Sequence, residues 1–279
     1  MPAGTPLFDR ALMAKRRQRR QQRDANILTR TIAEELVERL SLINRRFDTM
    51  LLIAAEPEHI AARLKETKQV GDITTRLPSA NDDLDLPAEQ FDAVLSLADL
   101  QCFNDVPGAL IQMRRALKPD GLFLACLFAG DTLNELRQSW LAGEALTTGG
   151  VSPRVAPMIG MRELGGLLQR AGLALPVADL DRTMVRYADA VALIHEIRAL
   201  GLSNPLTDRS RTPVTRGLLA AAVNAYHSNF ADADGRIRAT VELAWATGWS
   251  PHESQQQPLK PGSAKARLAD ALKVEEKKL

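Results

Sequence analysis

Glycine is absent from the one turn where this sequence would most need it. The strand-like run Met50-Leu51-Leu52-Ile53 is followed by Ala54-Ala55-Glu56-Pro57-Glu58-His59. A nucleotide-binding turn places glycines there, because its backbone takes unusual dihedrals and touches the ligand with no Cβ between. Cysteine is scarce throughout: Cys102 and Cys126 are the only two in 279 residues. They are too few and too irregularly spaced for a disulfide framework or a zinc site, and they point to a reducing cytoplasm. No apolar stretch approaches the roughly 20 residues that span a bilayer, and no apolar h-region follows the basic start, so membrane insertion is not expected. Neither sign of charge dominates. A net charge of +2 gives no global field for nucleic acid or membrane binding. HExxH, GxSxG, a P-loop and a Cys-His pair at nucleophile spacing are all missing, so no general base stands out.

What is present begins with a local concentration of charge. Lys15, Arg16, Arg17, Arg19 and Arg20 lie between Arg10 and Arg23 with no acid among them. Such a run either meets an acidic partner or anionic phosphate, or forms the solvated face of a first amphipathic helix. Nucleic-acid binding is not expected from it, since neither aromatic stacking residues nor a basic groove accompany it.

Periodicity then sets the architecture. Ile27, Ile32, Leu36, Val37 and Leu40 recur at helical spacing over Asn26 to Ser41. Strand 49–54, helix 57–67, a short strand near Val70, strand 91–97, helix 105–117 and strand 121–128 alternate as they do in a parallel sheet. The runs Phe91 to Leu97 and Leu122 to Phe128 are nearly all apolar, as in strands buried on both faces. Between the last helix and strand, Leu117-Lys118-Pro119-Asp120-Gly121 reads as a tight turn in which glycine supplies the positive φ. Thr132 and Glu135 are spaced as a capping box for a helix from Asp131. Helix 161–171, a strand-like stretch to Tyr187, helices near 189–200 and 213–229, and an alternating strand from Ile237 to Trp245 follow. The tail from Ala264 reads as frayed or helical and solvated.

Ligands of open α/β sheets bind beyond the carboxyl ends of the strands. After the second strand Asp72 can accept both hydroxyls of a ribose, or simply occupy a surface turn. In the loop 81–87, Asp82 can face an adenine amino group, or belong to an acidic turn. Asp99, Gln101, Asn104 and Asp105 follow the strongest strand and would border any pocket there, although Asn104 or Asp105 reads best as a helix cap. His195 and His227 lie on helices without a paired acid. Gly248-Trp249-Ser250-Pro251-His252-Glu253-Ser254-Gln255 sets an aromatic, an imidazole and a carboxylate directly after a strand, where they either orient a substrate and transfer protons or form a structural corner.

These segments resemble a known family. Leu7-Phe8-Asp9-Arg10, Phe91-Asp92-Ala93-Val94, Leu117-Lys118-Pro119-Asp120-Gly121, Gly130-Asp131-Thr132-Leu133, Gly149-Gly150-x-Ser152-Pro153 and His252-Glu253-Ser254-Gln255 are similar to S-adenosylmethionine-dependent methyltransferases. The resemblance includes the malonyl-carrier-protein methyltransferases. It is greater to the branch of respiratory complex I assembly factors associated with arginine hydroxylation. It implies a Rossmann-like α/β fold: a mostly parallel seven-stranded sheet with helices on both faces and a helical C-terminal elaboration. The expected divisions are an N-terminal helical region 1–46, a methyltransferase-like domain 47–263 with a helical insertion about 189–230, and a tail 264–279. The implied cofactor is S-adenosylmethionine, with Ala54, Asp72, Asp82 and Asp99 in its site, and with Asp131, Thr132, His252 and Glu253 on the substrate side. Laid on the family's glycine motif, the acid falls on Leu52 and the glycines on Ala54, Glu56 and Glu58. A steric and desolvation cost of about 3 kcal/mol there weakens binding roughly 100-fold. The implied substrate is a protein or a carrier-bound acid. The alternative is a non-catalytic assembly module that keeps the fold.

Overall fold

The computed structural model describes residues 5–19 and 27–256. After helices α1 (Arg10–Gln18) and α2 (Ile27–Ser41), the chain runs through β1 (Phe47–Ile53), α3 (Pro57–Lys65), β2 (Val70–Arg76), β3 (Phe91–Leu97), α4 (Val106–Ala116) and β4 (Leu117–Phe128). The second half holds α5 (Asn134–Thr147), α6 (Met161–Arg170), β5 (Ala174–Tyr187), α7 (Ala190–Ala199), α8 (Arg216–Phe230) and β6 (Ile237–Trp249). The strands form one sheet in the order β2-β1-β3-β4-β6-β5. The first four are parallel, and β6 and β5 run antiparallel. The tail 264–279 lies outside the described residues.

The side chains of β1, β3, β4 and β6 alternate between two apolar layers, as the period of two requires. On one face Leu52, Leu95, Leu124 and Trp245 pack beneath α2 and α3. On the other, Leu51, Val94, Phe123 and Ala246 pack beneath α4 and α6. Trp245, fully buried, donates its indole N–H to Glu35 at 2.9 Å. Arg39 lies 4.5 Å over its ring and bridges Asp179 and Asp181 on the edge strand. The helices α5, α7 and α8 build a third cluster around Tyr226 and Ile237 at one end of β5 and β6.

The α/β class and the helices on both faces agree with the sequence, and the sheet has six strands rather than seven. Residues 77–90, which join β2 to β3, hold neither helix nor strand, so β2 is an edge. A parallel crossover needs a dozen or more residues. This one is fastened to α4 instead of forming its own helix. Leu84 N–H donates to Gln112 Oε1 at 2.8 Å, Gln112 Nε2 to the Asp82 carbonyl at 2.9 Å, and Glu89 N–H to the Arg115 carbonyl at 2.9 Å.

Two local expectations change. The Lys-Pro-Asp-Gly segment belongs to β4, and Asp120, not Gly121, takes the positive φ of 59°. A Cβ on Gly121 would come within 2.9 Å of the Lys118 carbonyl, so close approach accounts for the glycine. The Thr132–Glu135 capping box does not form. Helix α5 starts at Asn134 after a left-handed Leu133, φ 59°, while both polar side chains turn to β6.

Candidate functional site

At the carboxyl ends of the parallel strands the register decides what a ligand would meet. Ile53, the last residue of β1, pairs with Arg76, the last of β2, and Asp72 pairs with Thr49 further back. At about 3.3 Å per residue, Asp72 lies roughly 13 Å short of the strand end. It is exposed. The end itself carries a guanidinium, which donates to the carbonyls of Leu84 and Asp85 at 2.9 and 3.2 Å. Beside it a groove of about 330 Å³ is lined by Ile53, Leu77, Ser79, Asn81 and Asp83.

Ala54 is buried, and its N–H donates to the Arg76 carbonyl. Glu56 occupies the N-cap position of α3 with φ −127°, and Pro57 opens the helix. A proline at the first helical position is favourable for α3 because it lacks the N–H that would be unsatisfied there. The same lack removes a donor that an anion at the helix start would use. Glu56 is half-buried and Glu58 exposed.

Asp82 is turned to the start of α4. It accepts the backbone N–H groups of Asn104 and Asp105, at 3.2 and 3.1 Å to Oδ2, and lies 3.4 Å from Arg10 Nε. Asp105 caps α4 through the Gly108 N–H, at 2.9 Å. Asp99 is fully buried and is claimed by two guanidiniums, Arg10 at 3.0 Å and Arg17 at 2.7 Å. Arg10 also lies 3.6 Å over the Phe103 ring and donates to the carbonyls of Ser79 and Cys102. Helix α1 is thereby clasped across the end of β3, just after Ala98 takes a left-handed φ of 53°. Within the basic run, Arg17 thus has an acidic partner internal to the chain. Arg10 and Arg17 had no individual role in the sequence reading, although Arg10 stands in the Leu-Phe-Asp-Arg segment that carries the resemblance.

Next to this clasp an apolar pocket of about 70 Å³ lies among Leu28, Leu133, Leu193, Ile197 and Leu200, with room for roughly five water-sized groups. Four polar or thiol side chains in its lining bear on its chemistry: Gln101, Cys102, Tyr187 and Glu196. Gln101 Oε1 and Nε2 are buried without a hydrogen-bond partner, while the Tyr187 hydroxyl and the Glu196 carboxylate interact with each other. Burial, with the Glu196 carboxylate nearby, raises the Tyr187 hydroxyl well above the usual tyrosine range. Burial also pushes the Cys102 thiol up to about 12, which rules it out as a thiolate nucleophile near neutral pH. Arg154, the cation in the lining, already pairs with Glu144 at 2.6 Å.

Asp131 and Thr132 sit by this pocket in different ways. Thr132 is buried and lines it, but its hydroxyl donates to the Ala129 carbonyl at 2.7 Å and accepts the Glu242 N–H at 2.9 Å. Asp131 is exposed, and its backbone N–H donates to Glu242 Oε2 at 2.9 Å. Gly130 has φ 53°, and a Cβ there would stand 1.8 Å from Glu242 Oε2. The Gly-Asp-Thr segment therefore locks α5 to β6. His252 and Glu253 lie elsewhere. Trp249 pairs with Leu122 at the amino end of β4, roughly 20 Å of strand from Phe128. His252 and Glu253 are both exposed. His252 Nδ1 is 2.7 Å from Ser254 Oγ, and Gln255 Nε2 donates to Asp120, which Arg45 also holds. The segment forms a hydrogen-bonded corner at the amino end of β4.

The comparisons accord with this geometry. A model of the methyltransferase domain matches residues 40–125. A Bacillus halodurans protein described as a methyltransferase superposes with TM-score 0.50 at 12% identity, over 78% of this chain and 98% of its own; that likeness shows the fold. The chain is a methyltransferase-fold protein of the S-adenosylmethionine-dependent class. Among curated proteins, arginine-hydroxylase NDUFAF5 of Danio rerio is 30% identical over 97% of this chain and 91% of its own length. The Mus musculus protein of the same name is 33% identical over 98% and 86%. A malonyl-[acyl-carrier protein] O-methyltransferase of Xylella fastidiosa is 35% identical over 57% of this chain and 52% of its own. The chain belongs to the arginine-hydroxylase NDUFAF5 family.

One expectation is overturned by these relatives. The NDUFAF5 proteins of zebrafish, rat, mouse and human are mitochondrial by name, against the cytoplasmic placement drawn from the cysteines. Cys102 and Cys126 are both buried and free, so they report packing and not a compartment.

The domain match supports S-adenosylmethionine as the cofactor. Three features of this chain do not fit its usual grips: Glu56 and Glu58 in the glycine turn, Arg76 where a ribose-binding acid would end β2, and Asp99 closed by Arg10 and Arg17. No chemical step through the cofactor follows from such a site.

Proposed function

We propose that this protein acts on another protein, a subunit of respiratory complex I, by taking an arginine side chain into the pocket beside Gln101, and that holding this side chain rather than methyl transfer is its main work. The observation that carries the reading is the pocket's chemistry: a mostly apolar lining that also holds the unpaired Gln101 amide and the Tyr187 phenol beside the Glu196 carboxylate. That combination suits an aliphatic stem with a cationic head. It suits a carrier-bound malonyl group poorly, since a carboxylate needs a free cation and Arg154 is already paired. The relatives' name supplies the arginine, and the family resemblance supplies complex I. In this reading residues 1–46 form the helical region that closes the cofactor end, 47–263 form the methyltransferase-like domain, and the insertion 189–230 walls the pocket.

Fluorescence anisotropy with labelled peptides tests it. A peptide with a central arginine should bind, and the same peptide with citrulline, which keeps the shape and loses the charge, should bind at least about tenfold more weakly. Equal binding of the two, or preferential binding of malonyl-pantetheine, would sink the proposal.

A further inference from the structure

Gln101 is 8% exposed, faces the apolar pocket, and uses neither end of its amide. A buried amide left unpaired works against folding, and a leucine of similar size would serve a purely structural position better. The turn that carries it, Leu100–Cys102, is nevertheless held at both ends. Asp99 before it is gripped by Arg10 and Arg17, and the Cys102 carbonyl accepts from Arg10 Nη1 at 3.2 Å. Ala98, in its left-handed conformation, sets the direction of the turn. The chain thus fixes an unused hydrogen-bonding group in place, a preorganised arrangement that suits ligand recognition.

We propose that Gln101 is the specificity-determining residue of this pocket, its amide oxygen selecting the flat, multi-donor head of an arginine over the compact ammonium of a lysine. This rests on the reading that a cationic side chain enters the pocket. A guanidinium spreads five N–H donors over a rigid plane, so one edge can pair with Gln101 Oε1 and leave further donors for other acceptors of the lining. An ammonium is a strongly hydrated point charge and must give up its water to make fewer oriented contacts. The Gln101 nitrogen remains free to donate to a carbonyl of the bound peptide.

The test uses the full chain and peptides that differ only in a central arginine or lysine, with thermal unfolding measured alongside. In the natural protein arginine should bind about tenfold more tightly than lysine. In Gln101→Leu the ratio should fall toward one while the melting temperature stays level or rises; Gln101→Met replaces it if the leucine variant does not fold. A lower melting temperature with an unchanged ratio would show a structural residue and overturn the inference alone. Failure of the natural protein to bind the arginine peptide would overturn both this inference and the reading beneath it.

Discussion

Ile53 and Arg76 are partners across the ends of the two outer parallel strands, and that pairing puts a guanidinium where the fold would present a carboxylate to a ribose. Asp72, the acid that the sequence offers for this role, is paired with Thr49, far back along the strand. The cofactor end of the sheet carries Glu56 and Glu58 at its first turn, Arg76 at its second strand end, and an Asp99 already paired with Arg10 and Arg17. The neighbouring pocket keeps unpaired polar groups.

The Asp99 clasp should be a large contributor to stability. Removing its carboxylate leaves two buried guanidiniums without their common partner, and breaking a buried pair of this kind costs about 3–5 kcal/mol. Asp99→Asn should therefore lower the urea midpoint markedly. A change under about 1 kcal/mol would show that α1 does not depend on the clasp.

Gly130→Ala should also destabilise, by more than about 2 kcal/mol. Its new Cβ would collide with Glu242 Oε2, and its φ of 53° is unfavourable for alanine. Chemical denaturation reads the effect. An unchanged midpoint would mean that α5 is not locked to β6 through this carboxylate.

Stability should carry a pH signature from Glu144. Burial raises its pKa, but hydrogen bonds from Ser152 and Arg154 outweigh that and hold it below the usual glutamate range. A folded pKa below the unfolded one gives stability that is fully present above the unfolded pKa and is lost as pH falls through the folded one. Glu144→Gln should accordingly cost stability at pH 7, and the gap from the natural protein should narrow below about pH 4. A gap that is constant with pH would assign the effect to packing.

His252→Ala should leave peptide binding within about twofold, since His252 stands roughly 20 Å of strand from the pocket end of β4. A tenfold loss in the same anisotropy assay would place the corner in the site.

The centre of the parallel half was legible because β3 and most of β4 are buried on both faces. Phe91 to Leu97 and Leu122 to Phe128 can be little else than central strands. The site was less legible for three physical reasons. Strand register moved Asp72 from the end of β2 to its interior, and register is set by pairing across the sheet, not by local composition. Chain direction put His252 at the amino end of β4, because β6 runs antiparallel to it. Arg17 sits in a basic run and reads as solvated, yet its partner Asp99 is 82 residues away. Gln101 could be placed after a buried strand from the sequence. Only the packed structure reveals that its amide has no partner.

Calorimetric titration with S-adenosylmethionine tests the central claim most directly, using the natural protein beside the triple change Glu56→Gly, Glu58→Gly and Arg76→Asp. The account predicts no saturable binding by the natural protein below about millimolar cofactor, which corresponds to less than about 4 kcal/mol of binding free energy, and a gain of at least tenfold in the variant. Micromolar binding by the natural protein would contradict it and make this chain a cofactor-loaded enzyme.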